Sequence, residues 1–270
     1  MIKDKKKKIA IIYEGERTEK DLFQSISRYF FADRADIMIM TLPAAGNLYM
    51  LWTRLQADDF ETDVIGVLRE MNNNLSERLE GVDAGDFSEI YLFFDYDGHH
   101  NNLPQRLEGK DALQEMLATF NNETELGKLY VSYPMVEAIK EISMDMQDYR
   151  TFYLPLDECE NYKEKTGGIS DYGDFRHITK EMWYIACNAS RKRAAVIVTC
   201  KEEKDYPKFI ENMSQEKIYD AQRNRFINFN RAIGILSSVP LFLIEYYDEA
   251  FWQMTVQPSY TEPLLDGLKE

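Results

Sequence analysis

The stretch KIAIIYEGERTE (8–19) decides how the first half of this chain folds. Ile9, Ile11 and Ile12 make a short, nearly continuous apolar run, the pattern of a strand covered on both faces. Glu14 and Gly15 end that run. Thr18 and Asp21 have the spacing of a capping box, and Leu22, Phe23, Ile26, Tyr29 and Phe30 recur at helical intervals. A buried strand therefore hands over to a helix through an acidic, glycine-containing turn. The same alternation continues downstream. Residues 36–42 read as a second strand closed by the turn Pro43-Ala44-Ala45-Gly46-Asn47, with a helix over 48–55. Residues 90–94 read as a third strand running into Asp95, 111–120 as a helix, and 128–131 as a fourth strand. Pro134 suits the first turn of a further helix reaching Met144. The expectation for 1–150 is an α/β domain, a parallel sheet flanked by helices.

After residue 150 the texture changes. Residues 157–174 are polar, contain Gly167-Gly168 and show no period, so a loop or mobile insertion is expected. A helix is expected around 178–188, a strand over the apolar run 194–200, a long helix over 214–236 and a final strand over 240–246. Residues 151–270 thus read as an α/β extension, a candidate region for binding a partner or nucleic acid.

Composition narrows the function classes. Hydrophobic residues make up 44% of 270, enough for a folded core. No run of eighteen apolar residues occurs, and the basic start passes directly into the first strand, so neither a membrane span nor a signal peptide is expected. Cys159, Cys187 and Cys200 are scattered, without the spacing of a thiolate zinc site or a disulfide framework, which suits a reducing cytoplasm. The net charge of -15 argues against general coating of nucleic acid. A carboxylate-held metal can still supply local positive charge at one site. Two basic groups, Lys3 to Lys8 and Arg191-Lys192-Arg193, are candidates for phosphate contact or else solvated surface.

The residues best placed for chemistry are acidic strand ends. Glu14 stands where a buried strand meets a turn and a helix, the place where open parallel sheets put their ligand sites. In YLFFDYDGHH (91–100), Asp95 and Asp97 are two apart, so in extended backbone their carboxylates point the same way. Brought together, these three form an oxygen-rich set suited to Mg²⁺ or Mn²⁺ and to phosphodiester chemistry. Taken singly, each has an ordinary explanation: Asp-x-Asp-Gly also makes plain turns, and Glu14 could cap the following helix. His99 and His100 follow the Asp pair and are candidates for the mouth of the site or exposed loop residues. His177, near Arg176 and Lys180, is a candidate phosphate contact but reads first as part of a surface cluster at a helix start. Of the aromatic residues in the second half, Trp183, Tyr184, Tyr246, Tyr247 and Trp252 are candidates for base stacking, whereas Phe226 and Phe229 read as core.

These motifs in this order resemble the Toprim fold: the Glu-Gly of YEGERTE, the Gly-containing turn LPAAGN and the Asp-x-Asp of FFDYDG. The chain is more closely similar to RloB-like Toprim proteins, related to OLD-type nucleases, through EGERTEKDLF and SYPMVEA, and the resemblance covers roughly 8–145. It implies Glu14 as a metal ligand or general acid or base, and Asp95 and Asp97 as ligands of Mg²⁺ or Mn²⁺. Glu137 is a candidate extra carboxylate, one turn into a helix capped near Ser132. Gly15 would allow close backbone approach, and Gly46 would form the turn beside the site. Tyr133 stands where these relatives have Asn, and no acidic residue follows Asp97 immediately, so one metal is better supported than two. The resemblance implies a nuclease acting on DNA or RNA in anti-phage defence, working beside a separate ABC-type ATPase. A homodimer is a further candidate state. No G-x-x-x-x-G-K-[ST] loop occurs in this chain. Two other readings compete. One is a haloacid-dehalogenase-like phosphatase with Asp95 as nucleophile, although His99 stands where that motif carries Thr or Val. The other is a non-catalytic Toprim-fold regulatory subunit.

Overall fold

Five strands hydrogen-bond in the order β2-β1-β3-β5-β4, and β2, β1, β3 and β5 run parallel. They are β1 Lys7–Tyr13, β2 Ile37–Pro43, β3 Glu89–Asp95, β4 Asn121–Asn122 and β5 Gly127–Ser132, with short β4 closing one edge antiparallel. This computed structural model describes residues 7–15, 17–34, 36–44, 46–96, 111–143, 152–166 and 170–256. Helices in the first half are α1 Thr18–Ile26, α2 Leu48–Ala57, α3 Val64–Met71, α4 Asn73–Ser76 and α5 Ala112–Thr119. In the second half β6 Tyr153–Pro155 and β7 Ala232–Gly234 form a small antiparallel sheet. Around it lie α6 Tyr162–Lys165, α7 Lys180–Thr199, α8 Tyr206–Asn212, α9 Gln215–Ala221, α10 Asn228–Asn230, α11 Val239–Tyr246 and α12 Glu249–Val256. The α/β class and the mostly parallel sheet flanked by helices are as expected from the apolar runs.

Register explains the layering. Tyr13 lies beside Phe93, and Phe93 beside Tyr130, so these rings share one face of the sheet. Phe23 of α1 stacks on Tyr13 and lies 4.7 Å from Phe93, while Phe242 of α11 sits 5.3 Å from Phe93 and 4.8 Å from Tyr91. One helix from each half of the chain therefore covers the same face. Lys128 and Tyr130 of β5 also bond Glu245 of α11. Trp183 of α7 donates to Ser25 of α1, and Tyr133 exchanges backbone bonds with Leu236. The residues after 150 share the core of the sheet.

Several local expectations are corrected. Thr18 is the first helical residue, not the cap, because Arg17 occupies that position and makes no side-chain cap bond. Residues 136–141 form a 3-10 segment, not the expected α-helix. The described part of 157–174 is ordered around buried Tyr162 and Tyr172, with a 3-10 turn Leu156–Asn161 and α6, and is not a plain loop. Residues 194–200 do not form a strand: α7 runs on to Thr199, because Ala194, Ala195 and Ile197 are buried along that helix. The long helix expected over 214–236 is broken: a π-helical turn Gln222–Ile227 follows α9, and after α10 the chain enters β7 through Arg231 at φ 48. Residues 240–246 are helical, with Pro240 in the first turn. Phe229 is 84% exposed and does not pack in the core, whereas Phe226 does pack against it. Among the described residues no helix is long and apolar enough to cross a membrane.

Candidate functional site: carboxylates at the strand ends

Strand order reverses between β1 and β3: β1 leads outward to β2 on one side, and β3 leads to β5 on the other. In open parallel sheets this is where a crevice forms beyond the C-terminal strand ends. Glu14 follows β1, Asp95 ends β3, and β5 runs through Ser132 toward Glu137. Three neighbouring strands thus deliver carboxylates to one place.

Backbone donors fix how these side chains lie. The Asp95 N–H donates to Glu14 Oε2 at 3.4 Å, tying the first strand end to the third. The Val136 N–H donates to Asp95 Oδ1 at 2.8 Å, tying the third to the segment after β5. The Gly15 N–H donates to Glu19 Oε1 at 3.1 Å, and a Cβ on Gly15 would stand 2.5 Å from Glu19 Oε2. A side chain at this position would push the Glu19 carboxylate aside, so the close contact at Gly15 is to a neighbouring carboxylate. Lys163 Nζ of α6 lies 3.1 Å from Glu137 Oε1.

The electrostatics follow from crowding. Burial, then the charges of Glu14, Glu19 and Glu137, push the Asp95 carboxyl well above the usual carboxylate range. Glu19 is raised as well, by burial first and then by Glu137. Partial burial pulls Lys163 down, but the Glu137 carboxylate beside it outweighs this and holds the ammonium above its usual value. Like-charged carboxylates sharing a site cannot all ionise freely without a counter-charge.

Glu14, Asp95 and Glu137 are therefore brought together, with Gly15 beside them. Glu137 reaches the cluster from a 3-10 segment whose first residue has no side-chain cap, so the helix cap expected near Ser132 does not form. Ser132 instead bonds Ser238 at 2.9 Å. Gly46 packs on Met71 and Met50, where a Cβ would stand 2.9 Å from Met71 Cε. Asp97, His99 and His100 lie outside the described residues, as does Ala45 of the turn. The basic group is corrected: Arg191 and Arg193 are 3% and 2% exposed and face inward. Arg191 lies over Trp252 and donates to the Glu203 carbonyl. Arg193 lies over Phe152, donates to the Glu141 carbonyl, and has its pKa lowered to about 10 by burial. Lys192 is 3.8 Å from Glu202. The arginines serve core packing, so this run does not form an open phosphate-binding patch. His177 is exposed beside Asp174. Trp183 and Trp252 are buried, and Tyr184, Tyr246 and Tyr247 pack against the core, which leaves no open stacking platform among them.

Two residues of the cluster were missed from sequence. Glu19 had a signal, the Thr18-Glu19 pair of the motif that carries the Toprim resemblance. Lys163 had none, since it comes from an aperiodic polar stretch.

The donor set is all oxygen and acidic, which matches a hard divalent cation. Among the described residues no three His, Cys, Asp or Glu side chains are arranged to hold a metal ion together. Glu14 and Asp95, with Glu137 and with Asp97 two residues beyond Asp95, are the groups whose chemistry would hold one. No family model, curated protein or solved structure matches this chain.

Proposed function

We propose that the chain is a Toprim-like phosphodiesterase, a nuclease acting on DNA or RNA with Mg²⁺ or Mn²⁺. The observation that carries this reading is the crowding of Asp95 by Glu14, Glu19 and Glu137 at the point where the strand order reverses. Natural stability would favour fewer acidic groups there, and strained, like-charged clusters of this kind mark functional sites. A bound divalent cation would supply Lewis-acid polarisation of the phosphodiester and offset the cluster's negative charge. Glu14 and Asp95 would be its principal protein ligands, with Asp97 and Glu137 as further carboxylates. The residues themselves do the positioning. Val136 N–H fixes one oxygen of Asp95. Asp95 N–H orients Glu14. Glu19, buried and raised in pKa, holds a proton more readily than an exposed glutamate and is suited to proton transfer beside the substrate.

A separate ATPase and a role in anti-phage defence belong to the same reading. Their support is the motif resemblance, together with the lack of a phosphate-binding loop in this chain. The test is to incubate purified protein with plasmid, single-stranded DNA and tRNA, with MnCl2 or with EDTA. Cleavage that needs Mn²⁺ and is lost in Glu14→Gln supports the proposal. Hydrolysis of small phosphomonoesters without any nucleic-acid cleavage would favour the phosphatase reading instead.

A further inference from the structure

Lys163 is 65% exposed along its side chain, yet its ammonium reaches Glu137, whose side chain is 2% exposed. Glu137 Oε1 is buried, and Lys163 approaches it off the hydrogen-bond direction, so the oxygen keeps an unused acceptor position. That carboxylate belongs to the cluster whose charge bears on Asp95 and Glu19. A buried carboxylate needs a nearby counter-charge. Here the counter-charge arrives on a flexible tether from α6, a four-residue helix outside the sheet. The pair is poorly aimed and the ammonium reaches Glu137 from the solvent side, so a doubly charged cation can compete with it for that carboxylate.

We propose that Lys163 is a displaceable counter-cation: it neutralises Glu137 in the cation-free protein and is evicted when a divalent cation engages that carboxylate. This rests on the cation-dependent reading above and adds a competition built into the chain. A lysine that stays in place beside the cation would repel it, so its removal would tighten cation binding on that reading too, but its amine would remain protected when the cation is bound.

Calorimetric titration with MnCl2 tests the competition, and lysine labelling separates displacement from a lysine that stays. Lys163→Met is expected to bind Mn²⁺ about fivefold more tightly than wild type, the factor that removal of one part-exposed competing pair releases. In the Glu137→Gln background the same substitution should make no difference. A second readout uses lysine acetylation followed by mass spectrometry. Mn²⁺ should increase modification of Lys163 several-fold while Lys165, paired with Glu158 at 2.6 Å, stays unchanged. Equal or weaker Mn²⁺ binding by Lys163→Met, or Lys163 remaining protected with Mn²⁺ bound, overturns the displacement proposal alone. Absence of Mn²⁺ binding by both wild type and Lys163→Met overturns it together with the cation-dependent function.

Discussion

Replacing Asp95 with Asn should make the cation-free protein more stable. Burial and the charges of Glu14, Glu19 and Glu137 raise the Asp95 pKa, so the folded state holds its proton more tightly than the unfolded chain does. The sign follows from proton linkage. The stability this group contributes is fully present below its ordinary value of 3.8 and is lost as pH rises through the raised folded-state value. At neutral pH and above, wild type carries that loss. Asn keeps the shape and can still accept the 2.8 Å bond from Val136, but it carries no charge. Asp95 retains some solvent contact, which screens the repulsion, so the gain at pH 8 should be about 1–2 kcal/mol. For a chain of this size that is about 2–8 °C in Tm. Thermal and urea unfolding in EDTA from pH 4 to pH 8 would measure it, with the gap between variant and wild type widening as pH rises. Added MnCl2 should then stabilise wild type and have much less effect on the variant. An Asn variant no more stable than wild type at pH 8 in EDTA would refute the idea that Asp95 is pressed against its neighbours.

Three further substitutions probe the surroundings. Gly15→Ala should cost about 1–3 kcal/mol, because the new Cβ forces Glu19 off the 3.1 Å bond from the Gly15 amide. An unchanged urea midpoint would mean Glu19 is not seated there. Phe242→Ala should cost about 3–5 kcal/mol and lower the stability of sheet and C-terminal helices together, since this buried ring meets Tyr91, Phe93 and Tyr130. Hydrogen exchange that speeds up only after residue 150 would contradict a shared core. Arg193→Met should destabilise by about 1.5–3 kcal/mol through loss of the bond to the Glu141 carbonyl, with nucleic-acid binding unaltered beyond that loss of fold. Weakened binding in gel-shift assays at unchanged Tm would restore a phosphate-contacting role.

The first half was legible because doubly covered strands leave a simple trace. Ile9 to Ile12 and Tyr91 to Phe94 are apolar runs too short for helices and are bounded by acidic turns. The same rule misled in the second half. PLFLIEY (240–246) is apolar on nearly every side because α11 is packed between the sheet and α7, so it carries no helical period. AAVIVTC (194–200) has the β-branched content of a strand but continues a helix begun fourteen residues earlier at Lys180. Arg191 and Arg193 read as surface charge because composition does not show that their stems and guanidinium planes would be buried against Trp252 and Phe152. At the site, Glu14 and Asp95 were readable from their positions on strand ends. Their meeting depends on β1 and β3 being neighbours, a pairing between residues about eighty positions apart that no local pattern encodes.

The most direct measurement is the Mn²⁺-dependent cleavage rate of a fluorescent single-stranded oligonucleotide, compared between wild type and the Asp95→Asn variant under conditions where both are folded. A cation-dependent phosphodiester site predicts cleavage by wild type that EDTA abolishes and a loss on the order of a hundredfold or more in the variant. Equal rates for the two proteins, or no cleavage by wild type of any DNA or RNA offered, would contradict it.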